Sequence, residues 1–168
     1  MKCLCFSDSH GFVSYFRKAM ELHPDAQAVF FLGDGLMDAE MVSASYPNVG
    51  WFAVRGNCDY HGTFRGAPIE KTDSVTLMGK RIVFTHGDLY GVKYGDSGVL
   101  RLAESRDADI VLFGHTHTPF EKYVPTEEGG VYLFNPGSIE PPSYRGGGSY
   151  GIIHLTEKGV SFSHGSFV

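Results

Sequence analysis

The chain lacks any long apolar run. Its uninterrupted hydrophobic stretches reach only about the length of Ala28–Leu32, far short of the ~18–20 residues that span a bilayer as a helix. At the N-terminus the apolar segment Cys3–Phe6 runs straight into Ser7, Asp8, Ser9 and His10, without the ~7–15-residue hydrophobic core of a secretory signal. The expectation is a soluble, cytoplasmic protein with no membrane partner. Cysteine is scarce and odd in number, three residues in all. Cys3 and Cys5 stand two apart in one strand and share a face, a poor geometry for pairing, so reduced core thiols are expected, with a Cys-x-Cys metal role as the alternative. Positive charge is in deficit too: 14 Lys and Arg against 19 Asp and Glu leave −5, which argues against a surface built to hold duplex nucleic acid.

What is present makes a core. Hydrophobic residues form 42% of the chain and charged residues 20%, which excludes intrinsic disorder. The 22 glycines recur singly after apolar runs and read as turns and close backbone approaches; Gly146–Gly148, beside Arg145, reads as a loop tip. The length suits one domain over residues 1–168, as a monomer or small homo-oligomer.

Lys2–Phe6 reads as a buried strand, followed by helical spacing at Phe12, Val13, Phe16, Ala19 and Met20 that Pro24 ends. Ala28–Leu32 is a second strand, stopping at Gly33-Asp34. A helix over Asp38–Ala44 and a strand over Val49–Val54, ending at Arg55-Gly56-Asn57, continue an alternation that implies parallel pairing. From Ile69 the rhythm changes to hairpins: Ile69–Leu77 with Arg81–Thr85, Phe120–Val124 with Val131–Phe134 around Glu128-Gly129-Gly130, and Tyr150–Leu155 with Val160–Ser163 around Lys158-Gly159. Between them lie a helix over Gly98–Ser105 and a strand over Ile110–Phe113. Two sheets packed face to face with helices outside are the simplest way to bury these strands.

The polar residues fall at the strand ends. Asp8 and His10, Asp34, Asn57, His86, and His115 with His117 follow five separate apolar strands, and strand ends of such sheets gather at one edge. Each signal has an ordinary reading on its own: Asp8-Ser9-His10 as a turn or helix cap, Gly56-Asn57 as a tight turn, His86 as a core histidine. Gly114-His115-Thr116-His117 is stronger, because two imidazoles flanking a Thr after a buried strand have few structural reasons to exist. Together they make a set of imidazole, carboxylate and amide donors suited to divalent ions such as Mn²⁺, Ni²⁺, Fe or Zn²⁺. Seven ligands exceed the roughly four that one tetrahedral ion needs and fit two ions sharing a carboxylate.

In this order the segments Asp8-Ser9-His10, Gly33-Asp34, Gly56-Asn57-Cys58-Asp59, His86-Gly87-Asp88 and Gly114-His115-Thr116-His117 resemble the calcineurin-like metallophosphoesterase superfamily, over residues 3 to about 140. Length and the Asn-Cys-Asp variant look most like its small bacterial and archaeal phosphodiesterases, a fold shared with the retromer subunit. The resemblance implies an α/β fold, a four-layer α/β/β/α sandwich with two mixed sheets. It implies one ion on Asp8, His10, Asp34 and His117 and another on Asp34, Asn57, His86 and His115, most simply Mn²⁺. The reaction it implies is in-line attack on a small phosphoester, a diester above all, by a hydroxide shared between the ions; the rival is a non-catalytic scaffold for protein partners. Cys58 departs from larger relatives, where a histidine is thought to protonate the leaving group, and a thiol does not replace it cleanly. Asp59, a metal-bound water or no acid at all remain. Arg55 and Arg145 are candidates for holding a phosphate oxygen, Asn57 and His86 for contacting the reacting group, and His61 for lining the site.

Overall fold

The computed structural model describes residues 1–127, 129–144 and 146–167; Glu128 and Arg145, named in the turn and phosphate-binding expectations above, lie outside the described residues. Alternation of side chains in the first strand, β1 (Lys2–Phe6), sets the layering. Cys3 and Cys5 face one way, into a core shared with Ile82, Phe84, Ile110, Leu112 and Phe134, while Leu4 and Phe6 face the other, against Phe16, Ala19 and Met20. Helix α1 (Val13–Leu22) carries those last three residues. It is followed by β2 (Ala28–Phe31), α2 (Leu36–Ser43), β3 (Gly50–Ala53), the two-residue strands β4 (Thr63–Phe64) and β5 (Ala67–Pro68), then β6 (Thr72–Leu77) and β7 (Lys80–Thr85). Two 3-10 turns, Asp88–Tyr90 and Val92–Tyr94, lead into α3 (Ser97–Ser105) and β8 (Ile110–Phe113). The chain closes with β9 (Pro119–Thr126), β10 (Gly129–Pro136), β11 (Ser149–Thr156) and β12 (Gly159–Ser166).

Two five-stranded sheets result, ordered β12-β11-β1-β2-β3 and β6-β7-β8-β10-β9. Both are mixed: β1, β2 and β3 run parallel with β11 antiparallel to β1, and β7, β8 and β10 run parallel between antiparallel β6 and β9. Helices α1 and α2 cover the outer face of the first sheet and α3 covers the second through Val99, Leu102 and Ala103. This is the four-layer α/β/β/α sandwich. Cys3 and Cys5 are unpaired and fully buried between the sheets, and burial pushes the Cys3 thiol up to about 11, as small core residues rather than ligands. No helix among the described residues is long and apolar enough to cross a membrane.

Two local expectations are corrected. The strand expected from Ile69 begins at Thr72, because the Ile69 N–H is taken by the Gly62 carbonyl at 2.9 Å, closing a loop around the small β4–β5 hairpin. The helix expected from Asp38 begins at Leu36, two residues nearer the strand end, where its first N–H groups find the acceptor described below.

Phe30 sits in the inter-sheet core with ring centroids 5.1 Å from Phe52 and 5.4 Å from Phe84. Phe30→Ala leaves a ring-sized cavity and is expected to cost about 3–5 kcal/mol, read by urea denaturation; a loss under about 1 kcal/mol would show that the two sheets are not packed through this ring.

Candidate metal centre

The loops that leave β1, β2, β3, β7 and β8 meet at one edge of the sandwich. Asp8 N–H donates to the Gly33 carbonyl at 2.9 Å and Gly114 N–H to the His86 carbonyl at 2.9 Å, so neighbouring strand ends are stitched before any side chain is considered. Glycine is required where the β2 and β3 loops touch. A Cβ on Gly33 would collide with the Gly56 backbone, and one on Gly56 would collide with the Asp34 carboxylate. That is the physical content of the Gly-Asp and Gly-Asn dipeptides.

Five of the seven expected ligands adopt left-handed backbone: Asp8 (φ 56°), His10 (41°), Asp34 (58°), His115 (69°) and His117 (59°). Each costs about 1–2 kcal/mol for a residue with a Cβ, and such strain collects where a fold must aim side chains. The aim is convergent. His117 Nε2 stands 3.1 Å from Asp8 Oδ1, and His10 Nε2 3.8 Å from Asp8 Oδ1 and 4.0 Å from Asp34 Oδ2. His86 Nε2 lies 3.3 Å from Asp34 Oδ2 and 3.1 Å from both Asn57 Oδ1 and His115 Nδ1. All seven thus join one cluster, in which Asp8, His10 and His117 make one potential ligand group and Asp34, His86 and His115 another.

The donor set fits cations. His86 Nδ1 is 2.8 Å from the Leu32 carbonyl, which can only accept, so in the neutral ring Nε2 presents a lone pair to two further acceptors, Asn57 Oδ1 and Asp34 Oδ2, beside His115 Nδ1. Asp8 is fully buried, and its Oδ1, like His10 Nε2, has no aligned hydrogen-bond partner. Without a cation, protons substitute. Burial opposes charge on His86, but Asp34 and Asp8 outweigh it and raise its pKa; the Asp8 carboxylate, against burial, raises that of His117, with Glu140 adding to it. Asp34 is held well below the usual carboxylate range: burial alone would raise it, but His86 and the Cys58 N–H at 2.8 Å prevail. His115 is lowered by burial, His86 and Lys93, which keeps it neutral as a ligand must be.

Around the cluster runs a ring of supports, most of which sequence reasoning missed. Buried Glu140 accepts from His117 Nδ1 at 3.0 Å, which turns Nε2 toward Asp8, the arrangement that orients metal-binding histidines. Asn135 Nδ2 donates to the Gly114 carbonyl and to Thr116 Oγ1, both at 3.0 Å, and Asp38 takes Ser9 Oγ at 2.6 Å and Gly11 N–H at 2.7 Å. Asp59 was expected as a candidate acid. Its carboxylate instead accepts four backbone N–H groups, from Gly35 and Leu36 on Oδ1 (both 2.9 Å) and from Asp34 and Gly56 on Oδ2 (both 2.8 Å). All four lone-pair positions are engaged, so Asp59 caps α2 and ties β2 to β3.

A cleft of about 230 Å³ opens beside the cluster, lined by His10, Asp34, Cys58, Tyr60, His61 and Met37 among others. Cys58 is exposed there; burial and the Asp34, Asp59 and Asp8 carboxylates push its thiol up to about 11. Arg55 does not line this cleft, and its Nε is buried without a partner. A larger, mainly apolar cavity of about 370 Å³ lies among Val92, Phe113, Thr116, Thr118 and Phe120, and none of the seven cluster residues lines it.

The calcineurin-like phosphoesterase superfamily domain matches residues 1–158. The chain belongs to that superfamily. It is 31% identical over 155 residues to the probable metallophosphoesterase YsnB of Bacillus subtilis, covering 92% of this chain and 85% of YsnB. It is 30% identical over 173 residues to the phosphodiesterase YfcE of Escherichia coli K12, covering 91% and 87%. In fold it resembles a phosphoesterase-like protein of Streptococcus pneumoniae TIGR4 (TM-score 0.75, 22% identity, 98% of this chain and 88% of that one). It also resembles zinc-bound Vps29 of Entamoeba histolytica (TM-score 0.71, 18% identity, 99% of each chain).

Two outcomes are expected. Because His86 and His117 hold protons above the ordinary imidazole value of about 6.5, a divalent ion must displace them, so its affinity falls as pH drops through that range and binding releases protons; Mn²⁺ calorimetry in buffers of different ionisation enthalpy reads this, and pH-independent binding without proton release would contradict it. Asp59→Asn strands backbone N–H groups and is expected to cost about 2–4 kcal/mol of stability and to weaken metal binding, with turnover per bound metal near wild type. Unchanged stability with lost turnover would return Asp59 to an acid's role.

Proposed function

We propose that the protein is a metal-dependent phosphodiesterase working with two divalent ions, Mn²⁺ the first to test. One observation carries the reading: six side chains in potential ligand groups, with Asn57 Oδ1 beside His86 as a seventh, bring lone pairs together around buried Asp8 and Asp34, and Asp8 Oδ1 has no aligned hydrogen-bond partner. Asp8, His10, Asp34 and His117 would hold one ion, and Asp34, Asn57, His86 and His115 the other. When bound, such ions supply Lewis acidity toward phosphoryl oxygens and lower the pKa of water toward 7.

The protein's own residues do the rest. Asp34, between the two groups, fixes their spacing while its Oδ1 is locked by the Cys58 N–H. Asn57 Nδ2 donates to Cys58 Sγ at 3.3 Å, which directs Oδ1 at the cluster. Lys93, exposed on the Val92–Tyr94 turn and felt electrostatically at His115, is better placed than Arg55 to meet a phosphoryl oxygen. With Asp59 committed to backbone and no free imidazole beyond the cluster except His61 in the cleft, departure of a poor leaving group is weakly assisted. That favours esters of acidic alcohols and phenols. The names of YfcE and of YsnB support phosphoester chemistry; the likeness to Vps29 supports the second reading, a metal-binding scaffold for protein partners.

The test is chelation, reloading with Mn²⁺ and assay on bis(4-nitrophenyl) phosphate. Turnover is expected to return with two ions per chain, and Asp34→Asn is expected to lose both ions and at least a hundredfold in rate, about 2.7 kcal/mol of barrier. Two ions bound with no turnover of any phosphoester would select the scaffold.

A further inference from the structure

We propose that the cleft beside the metal cluster selects diesters in which one ester group is a flat, uncharged ring, and that Tyr60 is the residue that holds that ring. The inference rests on the phosphodiesterase reading and adds the class of group its substrate carries.

Tyr60 is 94% exposed, an unusual place for a large aromatic side chain, yet the chain on both sides of it is tied down. The preceding residue, Asp59, is pinned by four N–H groups, and the loop closes behind at the Ile69–Gly62 hydrogen bond. A rigidly mounted tyrosine with two side-chain torsions loses little entropy when a ring stacks on it. Met37, 61% exposed in the first turn of α2, lines the same cleft and offers a polarisable, adaptable surface to an aromatic edge. At about 230 Å³ the cleft is below the ~300–1,000 Å³ of pockets that enclose drug-sized ligands, and so suits one ring-sized group.

The polar lining explains why the ring is uncharged. Among the described residues, no lysine or arginine lines the cleft. The α2 N-terminal N–H groups of Gly35 and Leu36, which could have received a second phosphate, are taken by Asp59, and Asp38 Oδ2 is taken by Ser9 and Gly11. A terminal anion would enter a space that holds several carboxylates and, among the described residues, no lysine or arginine. A ring meets Tyr60, Met37 and His61.

Binding decides this without asking which ester bond breaks. Calorimetry of the Mn²⁺-loaded protein should give methyl phenyl phosphate an affinity roughly tenfold above dimethyl phosphate, within the ~1–3 kcal/mol typical of stacking on an aromatic side chain, and a methyl diester ending in a second phosphate an affinity no better than dimethyl phosphate. Tyr60→Ala should erase the preference and Tyr60→Phe retain it. Tyr94→Ala, which removes a 97% exposed tyrosine that does not line the cleft, should leave it intact. Equal affinities within twofold, a preference that survives Tyr60→Ala, or tightest binding of the phosphate-terminated diester would overturn the inference. Failure to hydrolyse bis(4-nitrophenyl) phosphate would instead overturn the phosphodiesterase reading, with the binding series still deciding what the cleft holds.

Discussion

The structure depends on keeping lone pairs together that repel one another. Asp8 and Asp34 are almost wholly withdrawn from water, and imidazole nitrogens and an amide oxygen crowd the same few ångströms. A buried carboxylate without a compensating charge or donor costs several kcal/mol. Protons on His86 and His117 relieve part of this, but each proton serves one or two atoms, whereas a divalent ion satisfies four or more. The left-handed backbone at five ligands and the contact of Gly33 with Gly56 follow from that constraint: an arrangement unfavourable in itself has to be held from outside.

The holding is done by carboxylates and amides that never reach the cluster's centre. Asp38 fastens the first loop, Asp59 the second and third, Asn135 the last, and Glu140 the ring of His117. Each acts on backbone N–H or C=O groups, or on the far nitrogen of an imidazole, and so fixes orientation without competing for the ion. Placing them at the junction of strands from both sheets makes the site as rigid as the inter-sheet core beneath it.

The layers and the seven cluster residues were legible in the sequence for one reason. Short apolar runs such as Cys3–Phe6 and Ala28–Leu32, each bounded by turn-forming residues, read as buried strands, and a polar residue that ends an apolar run announces itself. The supports were not legible. Asn135 lies inside β10 and reads as part of an apolar run, Glu140 sits on the β10–β11 connection some 23 positions after its partner His117, and Asp38 reads as one more acid on a helix. The backbone role of Asp59 was not legible, because adjacency to Asn57 in the chain suggests membership of the site, while its hydrogen bonds run to Gly35 and Leu36, contacts that exist only once β2 and β3 are side by side. The β4–β5 hairpin is two residues a side, too short for any periodicity to register.

An acidic chain that acts on phosphate is not a contradiction once the acids are located. Of the carboxylates named at this edge, Asp38 and Asp59 are spent on backbone and hydroxyl donors and Glu140 on His117 and Ser138, which leaves Asp8 and Asp34 to face the positions proposed for the ions. Two divalent charges, +4, against these two carboxylates leave about +2 where the phosphoryl group would sit, since bound ions dominate the local field in such sites. On that proposal, attraction for an anion would come from the metal positions, and the cleft wall, where no lysine or arginine stands among the described residues, is left free to be apolar. On the two-ion and ring-binding proposals, exposed Tyr60 and Met37 beside a buried charged cluster would share one division of labour, the ions holding the charged atoms of a substrate and the protein surface what is attached to them.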